Sequence, residues 1–170
     1  MKMIKYLVFI VVLTPSCERE PLPDELPPIT MTGENTFGCL INDEVFVPVI
    51  RRWTGPDGIL GAIVFSDLPA YPDYIFSVSA HRLAENDEKI KDIDLLFIAN
   101  NVEDTGEYDF SYISLEYRGK HYGYIINGTI DILFFDTIAE VISGTFNANV
   151  YNEIDTVQIT YGRFDLKVTP

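Results

Sequence analysis

Few side chains in this 170-residue chain have the type and spacing to do chemistry. There are two histidines, His81 and His121, and two cysteines, Cys17 and Cys39. Nucleophilic catalysis needs a hydroxyl or thiol held beside a base, and neither histidine falls in an apolar pocket where such a pair would be desolvated. His81 shares the polar face of an alternating run with Ser77 and Ser79, so it reads as solvent-facing rather than as a general base. His121 closes the turn Arg118-Gly119-Lys120-His121. No G-x-S-x-G elbow, H-E-x-x-H helix or P-loop occurs. The usual zinc sites need more cysteine and histidine than the chain has. Its 26 acids allow a carboxylate pair for glycoside hydrolysis, but among so many some pair will lie at catalytic distance by chance, and none is singled out. The acid-rich stretches Asn100-Asn101-Val102-Glu103-Asp104 and Asp92-x-Asp94 lack the glycine and spacing of an EF-hand loop and read as solvated loops. The expectation is therefore no enzyme, no catalytic or metal-ligating residue and no cofactor.

Cys17 carries a different chemistry. Lys2 and Lys5 precede the apolar run Tyr6 to Leu13, and Thr14-Pro15-Ser16 leads to Cys17. A charged start, a short apolar core and small residues before a cysteine describe a lipoprotein signal over 1–16, with Cys17 the lipidated residue. The apolar run is too short to span a bilayer, which needs about 20 residues. Cleavage before Cys17 leaves Cys39 without a disulfide partner. Flanked by Gly38 and Leu40, Cys39 reads as a small buried hydrophobe.

Charge sharpens the picture of partners. The whole chain has 12 basic and 26 acidic residues, a net charge of -14, which argues against nucleic acid. Loss of residues 1–16 removes two lysines and no acid, leaving 10 basic residues and a net of -16. The expected partner is a membrane, reached through acyl chains and not through charge, since the acidic body is repelled by anionic headgroups. Residues 17–35, with Pro21, Pro23, Pro27 and Pro28 among Glu18, Glu20, Asp24 and Glu25, read as an extended acidic tether. At about 3.1 Å per residue it would reach roughly 50 Å. Glu18-Arg19-Glu20 after the lipid cysteine resembles a signal for export to the outer face of the outer membrane; a periplasmic orientation is the alternative.

The elements that would position any site are strands. From residue 36 to 170 the dominant period is two, broken by Gly, Asn and Asp, and no stretch has the length and 3.6-residue period of a substantial helix. About 8 to 10 antiparallel strands are expected, in a single all-β domain that is a β-sandwich or a partly closed barrel. Phe76, Val78 and Ala80 alternate with Ser77, Ser79 and His81; Ile93, Leu95, Phe97 and Ala99 form another run; Phe146, Ala148 and Val150 alternate with asparagines. Ile130, Ile132 and Phe134 share one face of a strand that is apolar on both sides, which suits a central or covered place. Asn127-Gly128 reads as a turn, and Ala84 to Asp92 as one helical turn. At the C-terminal end, apolar parity switches across Tyr161-Gly162. A two-residue hairpin there would put Val157, Ile159, Phe164 and Leu166 on one face, with Gln158 opposite Asp165.

Aromatic residues give the one hint of a ligand. Trp53 follows Arg51-Arg52 and precedes Gly55-Pro56-Asp57-Gly58, so it is expected at a strand end beside an exposed loop, where an indole stacks on a sugar ring or anchors a protein. Tyr122 and Tyr124 share strand parity and read as cross-strand packing.

The segment Pro27-Pro28-Ile29-Thr30-x-Thr32-Gly33-x-Asn35-Thr36-Phe37-Gly38-Cys39-Leu40-Ile41-Asn42, then Val45-Phe46-Val47-Pro48, resembles the entry of a family of uncharacterised Bacteroidetes lipoproteins, in which a proline-rich tether leads into the pattern TGxNTFGCxVNGxxWxP. The closing runs Ile142-Ser143-Gly144-Thr145-Phe146 and Ile159-Thr160-Tyr161-Gly162-Arg163-Phe164-Asp165 are similar to its SGTFxF and ITxGRFD endings. The family pattern has Gly where this chain has Asp43, a poorer fit to a type I′ turn, so a different loop is expected there. The resemblance implies an all-β lipoprotein domain and supplies no activity. Together these features lead to a membrane-anchored, non-catalytic binding or structural accessory domain of the envelope, with an envelope protein or glycan as partner. The alternatives are a two-carboxylate carbohydrate hydrolase and a carrier of small apolar ligands.

Overall fold

The computed structural model describes residues 23–48, 59–65, 74–82 and 92–167, with backbone only for 59–65 and 74. Cys17, Trp53 and the expected helical turn at 84–92, apart from Asp92, lie outside the described residues. The described residues form eleven strands: β1 (Thr36–Ile41), β2 (Glu44–Phe46), β3 (Ile59–Phe65), β4 (Tyr74–Arg82), β5 (Ile93–Asn100), β6 (Gly106–Asp109), β7 (Tyr112–Tyr117), β8 (Lys120–Tyr122), β9 (Tyr124–Asp136), β10 (Val141–Tyr151) and β11 (Thr156–Lys167). They form two antiparallel sheets, ordered β2-β1-β11-β10-β9-β6 and β3-β4-β5-β7-β8. The sheets stay separate, so the fold is the sandwich and not the barrel. Three of the four sheet edges are strands of three or four residues, too short to template pairing with another chain.

Alternation puts one face of each strand inside. Phe76, Val78 and Ala80 of β4, Leu95, Phe97 and Ala99 of β5, and Phe146, Ala148 and Val150 of β10 are buried as their periods require. Phe97 is the hub, with ring centroids 5.0 Å from Phe146, 5.5 Å from Phe110 and 6.1 Å from Phe76. Each such ring contributes about 2 to 3 kcal/mol by leaving water. Cys39 is fully buried among them, and burial pushes its thiol far above the ordinary range. Where β2 meets the other sheet, buried Arg82 donates to the Val45 carbonyl at 2.8 Å and to Glu44 at 3.2 Å, and Tyr117 donates to Glu44 at 3.0 Å. That cluster ties the two sheets together with its buried donors satisfied.

Several sequence expectations are corrected. Tyr161-Gly162 is not a hairpin loop: β11 runs unbroken through it and carries a bulge. Phe146 pairs with Gly162 and Ala148 with Ile159, so one more residue is spent on β11 than on β10. A bulge flips side-chain parity just as a two-residue hairpin does, which is why Val157, Ile159, Phe164 and Leu166 all still point inward. Gln158 therefore pairs with Asn149, and Asp165 with Ser143 and Thr36. A second bulge, at Leu133, removes Phe134 from the core face and packs Phe135 against the core instead. Asn127-Gly128 lies inside β9 and makes no turn. Tyr122 and Tyr124 belong to different sheets; Tyr124 does pack across strands, with Tyr151 at 5.1 Å. The β1–β2 hairpin keeps the two-residue turn despite Asp43, with φ of 48° at Asn42 and 65° at Asp43. Asn42 compensates by bonding Gln158 through both its backbone N–H and its side chain, each at 2.9 Å.

The segment expected to be a free tether is docked in its described C-terminal part. Asp165, fully buried on β11, accepts five hydrogen bonds: from Ser143 Oγ at 2.6 Å, Thr30 Oγ1 at 2.7 Å, and the backbone N–H groups of Gly33, Thr32 and Glu34 at 2.8, 3.1 and 3.2 Å. Gly33, at φ +73°, turns its N–H into this cage. Asn35 accepts from the Lys167 backbone N–H, and Arg163 donates to the Pro27 carbonyl. Leu26 and Pro27 are half-buried beside Gly38. The three motif pieces quoted above thus meet at one carboxylate.

Candidate functional site

The outer face of the six-stranded sheet carries a groove of about 250 Å³, lined by Ile29 of the docked entry segment and by residues of β9, β10 and β11. Register builds it. Arg163, Thr145 and Asp131 are cross-strand neighbours in one row, and Asn147 faces Thr129 in the next. Arg163 stands at one end of its row and Asp131 at the other, two strand spacings or about 10 Å apart.

Tyr161 overhangs the groove because of the bulge. Its backbone is at φ +52°, unfavourable for a residue with a Cβ, and the residue is 69% exposed. The next residue, Gly162, is buried over Phe146, where an added Cβ would meet the ring at 2.6 Å. The bulge thus sends a glycine inward and an aromatic ring outward. Bulges commonly re-aim a side chain in this way.

The polar groups around Tyr161 are partly fixed and partly free. Arg163 Nε donates to the Tyr161 carbonyl at 3.2 Å and Nη1 to Pro27, which holds the guanidinium and leaves Nη2 without an acceptor among the described residues. Asn147 Nδ2 donates to Thr129 Oγ1 at 3.4 Å. Asp131 is exposed and has no partner among the described residues. Burial pushes the Asp165 carboxyl beneath this wall up, but the hydrogen bonds from Ser143, Thr30, Gly33 and Thr32 outweigh it and hold the group at about 2.

His81 was expected to face solvent and is part-exposed there, and His121, placed in a turn by the sequence, is exposed; both have carboxylate partners. On the open face of the five-stranded sheet, Ser79 Oγ lies 2.7 Å from His81 Nε2, and His81 Nδ1 lies 3.0 Å from Asp94. Glu116 and His121 extend the row at 2.9 Å. Sequence reasoning placed Ser79 and His81 on one face but missed Asp94, whose position depends on the β4–β5 register. The connectivity is that of a nucleophile relay. Ser79, however, sits mid-sheet, laddered to Leu60 and Leu96, so the nearby backbone N–H groups lie in the sheet plane and do not face a developing oxyanion.

Of the residues weighed in the sequence for chemistry or ligand contact, Cys17 and Trp53 fall outside the described part and Cys39, His81 and His121 do not line the groove, whereas Thr145, Phe146, Tyr161, Gly162 and Arg163 of the closing motifs do. The groove's one local signal was the parity break at Tyr161-Gly162. Comparison with family models, with curated proteins and with solved structures gave no match.

Proposed function

We propose that the chain is an envelope lipoprotein, anchored to the outer membrane through Cys17 and displayed at the cell surface, that acts by binding in the groove beside Tyr161 and not by catalysis. The observation that carries the binding reading is the exposed Tyr161, held over a polar groove at a backbone angle that costs free energy. Such strain persists where the surrounding structure enforces it, and it concentrates at sites of use. The lipoprotein reading rests on the sequence before and at Cys17 and on the resemblance of the entry and closing motifs to Bacteroidetes lipoproteins. Two-carboxylate hydrolysis has less support, because the groove lining holds one carboxylate, Asp131. An apolar-ligand carrier also has less, because phenylalanine rings fill the space between the sheets.

Anchoring is tested by expressing wild type and Cys17→Ala in a host with lipoprotein processing. Wild type should partition into membranes with the mass of an acylated chain, and the variant should lose the acyl mass. A membrane-bound variant of unchanged mass would refute the anchor. External protease on intact cells tests display: resistance there, with cleavage in lysed cells, would indicate the periplasmic side.

A further inference from the structure

We infer that the groove is a carbohydrate site that takes a neutral polyhydroxylated ring stacked on Tyr161; this rests on the binding reading above and names its ligand class. Three features of the lining select that chemistry. Tyr161 offers an exposed aromatic face, and Ile29 an exposed apolar one, to the C–H face of a sugar ring. Thr129, Thr145 and Asn147 both donate and accept, as vicinal hydroxyls do, and the unpartnered Asp131 carboxylate can accept from two hydroxyls at once. Arg163 contributes a guanidinium already oriented by Tyr161 and Pro27, with Nη2 left for a ring or hydroxyl oxygen.

Charge and size narrow the class further. A body with a net charge of -16 after loss of residues 1–16 repels phosphorylated, sulfated and carboxylated ligands, and the carboxylate in the groove adds to that repulsion. A volume of about 250 Å³, open to solvent along one side, suits one or two units of a chain whose remainder continues over the sheet. Beyond the groove, Asn127, Asn149 and the tilted ring pair Tyr124 and Tyr151 lie along two of the same strands and extend the polar and aromatic surface.

The test is amide chemical-shift mapping on the full chain in a sugar-free zwitterionic detergent. It is titrated with cellobiose, maltose, mannobiose and N,N′-diacetylchitobiose, and separately with glycylglycine, whose two charges could bridge Arg163 and Asp131. A disaccharide should perturb Thr129, Asp131, Thr145, Asn147 and Tyr161. Tyr161→Gly, which suits the backbone angle and so keeps the bulge, should weaken binding about tenfold, while Tyr161→Phe keeps it. Shifts with glycylglycine alone would overturn the carbohydrate inference and leave the groove as a binding site. Shifts with neither probe would overturn both. Sugar shifts outside the groove, or unaffected by Tyr161→Gly, would overturn the assignment to Tyr161.

Discussion

Thr30 donates a hydrogen bond to Asp165 at 2.7 Å across 135 positions of sequence, so the segment that enters the fold is locked to the strand that ends it. The bond is one of five on a buried carboxylate, and its partners come from the entry segment and from β10. Asp165 is therefore the residue whose removal should be felt furthest.

Asp165→Ala should destabilise the domain by about 3 kcal/mol, because it strands Ser143 Oγ and several backbone N–H groups in a buried site. Urea unfolding followed by circular dichroism gives the loss, and amide exchange should rise first at 30–35. A variant with wild-type stability would mean that the entry segment adds nothing to the fold.

The same carboxylate sets a pH dependence. Its folded value of about 2 lies below the ordinary 3.8, so its contribution is complete above pH 3.8 and is lost as pH falls through 2. The shift corresponds to about 2 kcal/mol. The stability gap between wild type and Asp165→Asn, read from urea midpoints, should shrink over that window and stay flat above pH 5. A gap that does not change with acid would contradict the cage.

Gly162→Ala should cost about 2 kcal/mol, since the new Cβ would drive into the Phe146 ring in a filled core. Gly162→Ala combined with Phe146→Leu should recover part of the loss. If the double variant were no better than the single, the clash would not be the cause.

Cys39 should resist thiol reagents until the domain opens. Burial holds its thiol protonated far above neutral pH, and no solvent reaches it. In a chain carrying Cys17→Ser, the labelling rate with Ellman's reagent should rise with urea in step with unfolding. Fast labelling in buffer alone would show that the β1–β2 end of the sheet opens locally.

The strands were legible in the sequence where nothing interrupts the pleat. β4, β5 and residues 146–150 of β10 show simple alternation, and their inward apolar residues are the ones buried. The errors fell at bulges. One extra residue at Tyr161 and another at Leu133 invert parity without a turn, and a single sequence cannot distinguish that from a hairpin, because glycine and a positive φ serve both. The groove was not legible for a related reason. Ile29, Asp131, Thr145 and Tyr161 are neighbours only through the register of three strands and the docking of the entry segment. Asp165 was visible as part of a closing motif, but its role required knowing that the entry segment docks on β11.

The cage around Asp165 also decides how the domain carries load. A pull arriving through residues 26–29 meets Thr30, Thr32 and Gly33 before it reaches β1, and there it is shared among hydrogen bonds to a carboxylate fixed on β11. Force therefore passes straight from the entry segment to an inner strand of the larger sheet. The short β1–β2 hairpin, at the edge of that sheet, is spared.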